Sequence, residues 1–351
     1  MSFPLFEKYP SLEKNIARLP LGDFPTPVER SAVLSKALNC ELYLKRDDRS
    51  GHPYGGNKVR KLEFIFGDLK ERNKDAAITV GGFGSHHVLA TALYGKKVGL
   101  KIGAALFPQP MTEHAQDTLS LTLGSGALVK AAPLMALLPI SLASVYADLK
   151  ALDKKIGVVP PGGSSALGTL GYVNAALELA LQIERGILPV PDLVVAPLGS
   201  NGTVAGLALG LRLAGLPSTV WGVRVVDRIA ANSLFTLRLT SSVIQLMKKH
   251  GVQDSRLTIP WDLKIIHNQF GKGYAYPTEA ALQAKEEAKQ AGIPLETTYT
   301  AKALAALFAY KIAISGRKIL FWDTFSSNDL SMLPRKSPKE FLGSRLEALR
   351  V

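Results

Sequence analysis

Cysteine is nearly missing from this chain: Cys40 is the single thiol in 351 residues, so no internal disulfide can form. That excludes the disulfide-stapled secreted scaffolds and fits a reducing compartment. No glycine loop reads GxxxxGK[ST] or GxGxxG, which argues against an ATPase and against a nicotinamide enzyme. No basic run is interleaved with aromatics. The amino-terminal MSFPLFEKYPSLEKN carries charges early and has no uninterrupted apolar run, so it does not read as a signal peptide. Residues 131–147 are uncharged, but Pro133 and Pro139 interrupt them and they fall short of the ~20 residues of a membrane span. A buried helix after a proline turn is expected there, no membrane partner is expected, and the expected address is the cytoplasm.

What is present is an ordinary globular composition, 47% hydrophobic and 20% charged, in a chain long enough for two domains. The formal charge is +13. Its densest clusters, Lys96 with Lys97, Lys154 with Lys155 and Lys248 with Lys249, sit near apparent helix ends. A solvated basic surface is therefore expected, with no nucleic-acid partner. From about residue 76, short apolar β-branched runs alternate with amphipathic segments. AAITVGG, LKIGAALF, DLVVAPLG, TVWGVRVVD, LKIIHNQFG and KILFWDT read as strands. SHHVLATALYGKK, SLFTLRLTSSVIQLMKKHG and PTEAALQAKEEAKQAG read as helices. Fully apolar strands alternating with helices predict an α/β fold whose parallel sheets are covered on both faces. Ligands in such folds bind at the carboxyl ends of strands.

The segment VVAPLGSNGTVAGLALGLRLAG carries a strand into Gly199-Ser200-Asn201-Gly202-Thr203 and then into a helix bearing Gly206 and Gly210. Glycines let successive N–H groups point into one small space, the helix start adds positive partial charge, and Thr203 adds a hydroxyl. This is a phosphate cup or, more plainly, a tight strand-to-helix turn. PPGGSSALGTLGYVNAALELA is a second small-residue loop entering a helix, weak evidence by itself. In LYLKRDDRSGHPYGGNKVRKLEFIFGDL, Lys58 follows Gly55-Gly56-Asn57 and opens a helix with apolar Leu62, Ile65, Phe66 and Leu69. Asn57 suits the N-cap. Lysines are ordinarily exposed; one that forms a Schiff base needs a desolvated, electropositive setting.

At this point the residues resemble a family. GGNKVRKLEF is similar to the cofactor-lysine motif of the D-cysteine desulfhydrase and 1-aminocyclopropane-1-carboxylate deaminase family, pyridoxal-phosphate enzymes of fold type II, tryptophan synthase β-like in architecture. The likeness continues in order through KRDD, ITVGGFGSHHV, PPGGSSALGTLGYVNAALEL, GSNGTVAGL and LETTYTAKALAAL. The resemblance implies pyridoxal 5'-phosphate as cofactor, held covalently by Lys58, which would also move the proton at the substrate's α-carbon. It implies Gly199, Ser200, Asn201, Gly202 and Thr203 around the phosphate, with Asn57, Lys61, Thr300 and Thr324 as further cofactor contacts. Ser85, His86 and His87 would face the substrate, and Tyr274 and Tyr299 would be the active-site tyrosines. Thr300 stands where deaminases carry a glutamate near the pyridine nitrogen. A neutral hydroxyl supports a protonated ring less well, which favours β-elimination of a good leaving group over cyclopropane ring opening.

The chain departs from the family in two places. Gly84-Ser85-His86 replaces Gln-Ser-Asn before His87, so His86 is either a hydrogen-bonding substitute or a new acid or base. Asp323-Thr324-Phe325-Ser326 replaces His-Thr-Gly-Gly, which should reshape the pocket, with Asp323 reading as a helix cap or ion-pair partner. The expectation is a large cofactor-binding domain of residues 1–55 and 161–351, a small inserted domain of residues 56–160, and a homodimer. The substrate would be a small amino acid, D-cysteine or similar, broken down to keto acid, ammonia and sulfide. The alternatives are ring opening of the deaminase type, or a cofactor-binding homologue with altered or lost activity. Among the residues considered, none suggests a metal.

Overall fold

A computed structural model describes residues 3–350. Among the described residues, ten strands form two sheets. In chain order they are β1 (Val28–Arg30), β2 (Glu41–Arg46), β3 (Ala76–Gly82), β4 (Lys101–Phe107), β5 (Leu128–Ala131), β6 (Ile156–Val158), β7 (Leu193–Leu198), β8 (Thr219–Arg224), β9 (Leu263–Ile266) and β10 (Lys318–Asp323). The larger sheet has the order β1-β2-β10-β7-β8-β9 and the smaller β5-β4-β3-β6. Every pairing is parallel except that of β1 with β2 at the edge. The central strands are apolar because helices cover both their faces: all six residues of β7 are buried. The six strands and three helices expected from the sequence all form, though β9 stops at Ile266, before His267.

Helix Ala166–Glu184 is long and apolar enough to cross a membrane, yet most of it is buried inside the fold. It packs on helix Gly202–Ala214 at glycine contacts: a Cβ at Gly206 would lie 2.5 Å from the Cβ of Tyr172, and one at Gly210 2.6 Å from that of Ala176. The same helix supplies Glu178 to a buried ionic knot. Lys45 Nζ reaches Glu178 at 2.6 Å, and Arg60 donates to Asp47 at 2.8 Å and to Glu178 at 2.9 Å. Tyr172 and Trp322 add donors to Asp47, each at 2.7 Å. The knot fastens the helix Lys58–Glu71, through Arg60, to the end of β2 and to the helix behind it.

One expectation is corrected. The apolar stretch 131–147 does enter a helix, Leu138–Ala151, after a proline turn, but that helix is not buried: only Val145 and Leu149 are. It lies on one face of the small sheet with Ile140 66% exposed, and Leu134 in the bend before it is 64% exposed. Apolar composition here serves a surface cap, not a core element. The carboxyl-terminal helices Pro338–Leu342 and Arg345–Ala348 lie against the helix Glu113–Gly124 of the smaller sheet, burying Leu342 and Leu346 beside Phe83, Leu106 and Met111.

Candidate active site

A cavity of about 770 Å³ opens where β3, β4, β7, β8 and β10 end, between the two sheets. Of the residues singled out in the sequence, Asn57, Lys58, Ser85, His86, His87, Gly199, Ser200, Asn201, Thr203, Tyr274, Tyr299 and Thr324 line it. Lys58 opens its helix, and Asn57 occupies the preceding cap position without capping it. The amide has another use. Its Oδ1 accepts from Lys58 Nζ at 2.7 Å, and its Nδ2 donates to Thr203 Oγ1 at 3.1 Å. One side chain thus joins the lysine nitrogen to the mouth of the glycine turn. Burial pushes the Lys58 ammonium down to about 8, against a smaller opposing pull from Glu296.

The turn itself is sharply built. Asn201 adopts a positive φ of 67°, a sparsely populated conformation that costs a non-glycine residue about 1–3 kcal/mol. The side chain offsets this by donating to Ala230 O and accepting from Thr236 Oγ1, both at 3.0 Å. Ser200 Oγ lies 2.7 Å from Ser164 Oγ, and Gly202 N donates to Ser164 Oγ at 3.3 Å. Lys61, one turn after Lys58, reaches the same place from behind. Its Nζ lies 3.2 Å from Gly162 O and 3.1 Å from Ser164 Oγ, and a Cβ at Gly202 would stand 2.9 Å from it. Among the described residues no carboxylate pairs with Lys58 or Lys61 at salt-bridge distance. Burial and the neighbouring Lys58 hold the Lys61 ammonium well below its ordinary value. Two lysine nitrogens without carboxylate partners, set beside a helix start and the Ser164, Ser200 and Thr203 hydroxyls, suit an anion.

On the opposite wall, Ser85 caps the helix His86–Lys97, its Oγ accepting from Val88 N at 3.3 Å. Ser85, His86 and His87, at that helix start, line the cavity. His87 bonds Thr79 Oγ1 through Nε2 at 2.8 Å, while its buried Nδ1 has no partner among the described residues. His86 is bonded at both nitrogens, to Tyr54 at 2.5 Å and to His114 at 3.0 Å. Tyr274 and Tyr299 share a hydroxyl contact of 2.6 Å, and burial pushes the Tyr274 phenol up to about 12.

Thr300 is not among the cavity's walls. It is fully buried, and its N–H and hydroxyl turn to the Glu296 carboxylate, which accepts the amides of Thr298, Tyr299 and Thr300 at 2.7, 2.8 and 2.8 Å. Glu296 thus gathers the amides that lead into the helix Thr300–Ala309 and itself reaches the cavity. Asp323 is neither helix cap nor ion-pair partner. Its Oδ1 accepts from Phe325 N at 3.2 Å, its Oδ2 has no partner among the described residues, and burial beside Asp48 pushes its carboxyl well up. Tyr54, Ser164 and Glu296 join the site without being foreseen, and His114 stands behind His86. Ser164 sits in the second small-residue loop and was within reach of a sequence reading; His114, in TEHAQD, carries no local signal.

A lysine, a helix-mounted anion cup and a substrate wall on a two-sheet α/β frame define a class, the enzymes that keep a phosphorylated aldehyde on a lysine. The chain belongs to the pyridoxal-phosphate-dependent enzyme family, whose model matches residues 19–324. It is 36% identical over 298 residues to D-cysteine desulfhydrases of Salmonella paratyphi B and Salmonella newport, covering 83% of this chain and 87% of each relative. A crystal structure described as an ACC deaminase homologue superposes with a TM-score of 0.78 at 29% identity, covering 99% of this chain and all (100%) of that one. The processed form of threonine deaminase isoform 2 from Solanum lycopersicum, at 16% identity and a TM-score of 0.58 over 99% of this chain and 90% of its own, shares the fold. The chain is accordingly a pyridoxal-phosphate-dependent lyase or deaminase of fold type II that breaks down an amino acid.

Proposed function

We propose that the protein expels the β-substituent of a small amino acid, D-cysteine or a close relative, releasing keto acid, ammonia and sulfide. The observation that supports this reading is the Asn57 amide, which ties Lys58 Nζ at 2.7 Å to Thr203 at 3.1 Å, so that a lysine and a glycine turn suited to the two ends of one cofactor share a single cleft. The D-cysteine desulfhydrases, similar over most of the chain, supply the substrate class. Bound pyridoxal phosphate supplies an aldehyde that captures the substrate amine and a ring that draws electrons from its α-carbon.

The chain's residues do the rest. The turn 199–203, Ser164 and Lys61 hold the phosphate, and Thr324 and Asn57 face the ring. The Ser85 hydroxyl and the start of helix His86–Lys97 bind the substrate carboxylate, with the Nδ1 of His87 a further polar contact. Lys58, poised near neutrality, takes the α-proton and holds it. Tyr274 and Tyr299, kept protonated by burial, face the departing group as hydroxyl donors. Phe325 narrows the pocket beside His86, their rings meeting edge-on at 5.4 Å, so a compact side chain is favoured.

The same reading divides the chain into a large unit of residues 1–55 and 161–351 and a small one of residues 56–160, with the terminal helices crossing between them. It makes the protein a cytoplasmic homodimer, supported by its lone buried Cys40 and by exposed Leu134, Met135 and Ile140, which a second copy would cover. The test is a sulfide and keto-acid assay on D-cysteine, L-cysteine and 1-aminocyclopropane-1-carboxylate. Sulfide with keto acid from a cysteine supports β-elimination. Keto acid from the cyclopropane alone points to ring opening, and cofactor uptake with no turnover of any substrate overturns both.

A further inference from the structure

Three side chains lead out of the cavity in single file. Tyr54 Oη lies 2.5 Å from His86 Nδ1, and His86 Nε2 lies 3.0 Å from His114 Nε2. Tyr54 and His86 line the cavity; His114 does not, and stands half-buried in the first turn of helix Glu113–Gly124. The two imidazoles stack at 4.9 Å with 28° between planes, and Phe325 packs edge-on against both at 5.4 Å. The ring of Phe325 shields the histidine pair, leaving its members each other as partners.

The protonation pattern follows from the partners. Among the described residues the Tyr54 hydroxyl has no bond other than that to His86, and burial pushes its phenol up, so it donates to Nδ1. His86 then carries its proton on Nε2 and donates to His114 Nε2, leaving the His114 proton on Nδ1. Around His86 stand Lys58 and His114; around His114 stand Glu296, Asp117 and Lys285. Burial keeps both imidazoles below their ordinary value, so both are neutral at pH 7.

We propose that Tyr54, His86 and His114 form a proton relay between the cleft and the surface, with His114 as its outer member acting through His86 and not on the substrate. In an outward pass a proton arrives on Tyr54 Oη, the phenol proton moves to His86 Nδ1, the Nε2 proton of His86 moves to His114 Nε2, and His114 releases its Nδ1 proton to water. Only O–H and N–H bonds are exchanged, every member stays neutral, and the tautomers reverse. An inward pass restores them. In elimination the outward pass discharges the α-proton that Lys58 collects, and the inward pass resupplies the tyrosine hydroxyl that protonates the departing group. The inference deepens the proposed reaction and rests on it.

The test uses the full-length enzyme with pyridoxal phosphate and D-cysteine. With His114→Phe, which keeps the stacking, turnover should fall about tenfold, less than the 10²–10⁴ of a direct acid–base group, with KM unchanged. His114→Gln, which still holds His86 by a hydrogen bond, should stay equally slow, and His114→Ala should be restored by added imidazole. Cofactor absorbance should be unchanged in all three. Nitrogen-15 spectra of the cofactor-free protein should show neutral His86 protonated at Nε2, a state lost from its hydrogen bond in His114→Phe. Wild-type turnover in His114→Phe, full recovery in His114→Gln, or a charged His86 at pH 7 overturns the relay. Failure of the wild type to bind cofactor or release sulfide instead overturns the reaction, and the spectra still decide the tautomers.

Discussion

Helix Lys58–Glu71 presents two kinds of buried cation within one turn. Arg60, 1% exposed, is matched by Asp47 at 2.8 Å and Glu178 at 2.9 Å. Among the described residues Lys61, equally buried at 1%, finds only a carbonyl and a hydroxyl, and Lys58 only an amide oxygen. The acids hold Arg60 charged, whereas burial drives both lysines toward neutrality. Charge balanced inside the protein locks the helix in place; charge left unbalanced marks where something outside the protein must bind.

The comparison can be broken at several points. Lys58→Ala should cost the most, on the order of 10³-fold or more in turnover, together with loss of the covalent cofactor absorbance, because both the attachment and the proton acceptor go. Arg60→Met should leave that chemistry intact per folded molecule but cost about 3–5 kcal/mol of stability, read in denaturant unfolding, since Asp47 and Glu178 lose their partner. Lys61→Met reverses that pattern. Cofactor affinity should drop about 10–100-fold with its charge-assisted contact, while the cofactor-free protein should be no less stable, because a buried amine without a carboxylate partner has been removed.

A smaller effect lies in the pH dependence. With Lys58 at about 8 when folded and near 10.5 when unfolded, the folded protein binds fewer protons across that window. Stability of the cofactor-free protein should therefore rise with pH from 8 toward 10.5 and be lost as pH falls through 8. Thermal melts of Lys58→Met should show a flatter slope there.

How far the sequence reached depended on range. Lys58, Lys61 and the turn 199–203 were legible because glycine placement and helix starts are local. The bridge that Asn57 makes was not, since its second partner, Thr203, lies 146 residues away. Resemblance puts Thr300 at the ring nitrogen, whereas its own amide and hydroxyl bond the Glu296 carboxylate four residues earlier. His86 and Phe325 look like two separate departures in the sequence, yet their rings touch, so each accommodates the other. The stretch 131–147 shows the limit of hydropathy, which records that a segment is apolar without saying what covers it.

The central claim is that one lysine and one anion cup share one cofactor. Purified protein loaded with pyridoxal 5'-phosphate, reduced with borohydride and digested should yield a peptide carrying the cofactor mass on Lys58, and Lys61→Met should still label there at higher cofactor concentration. Label spread over surface lysines, or none at all while the protein is folded, would contradict the account.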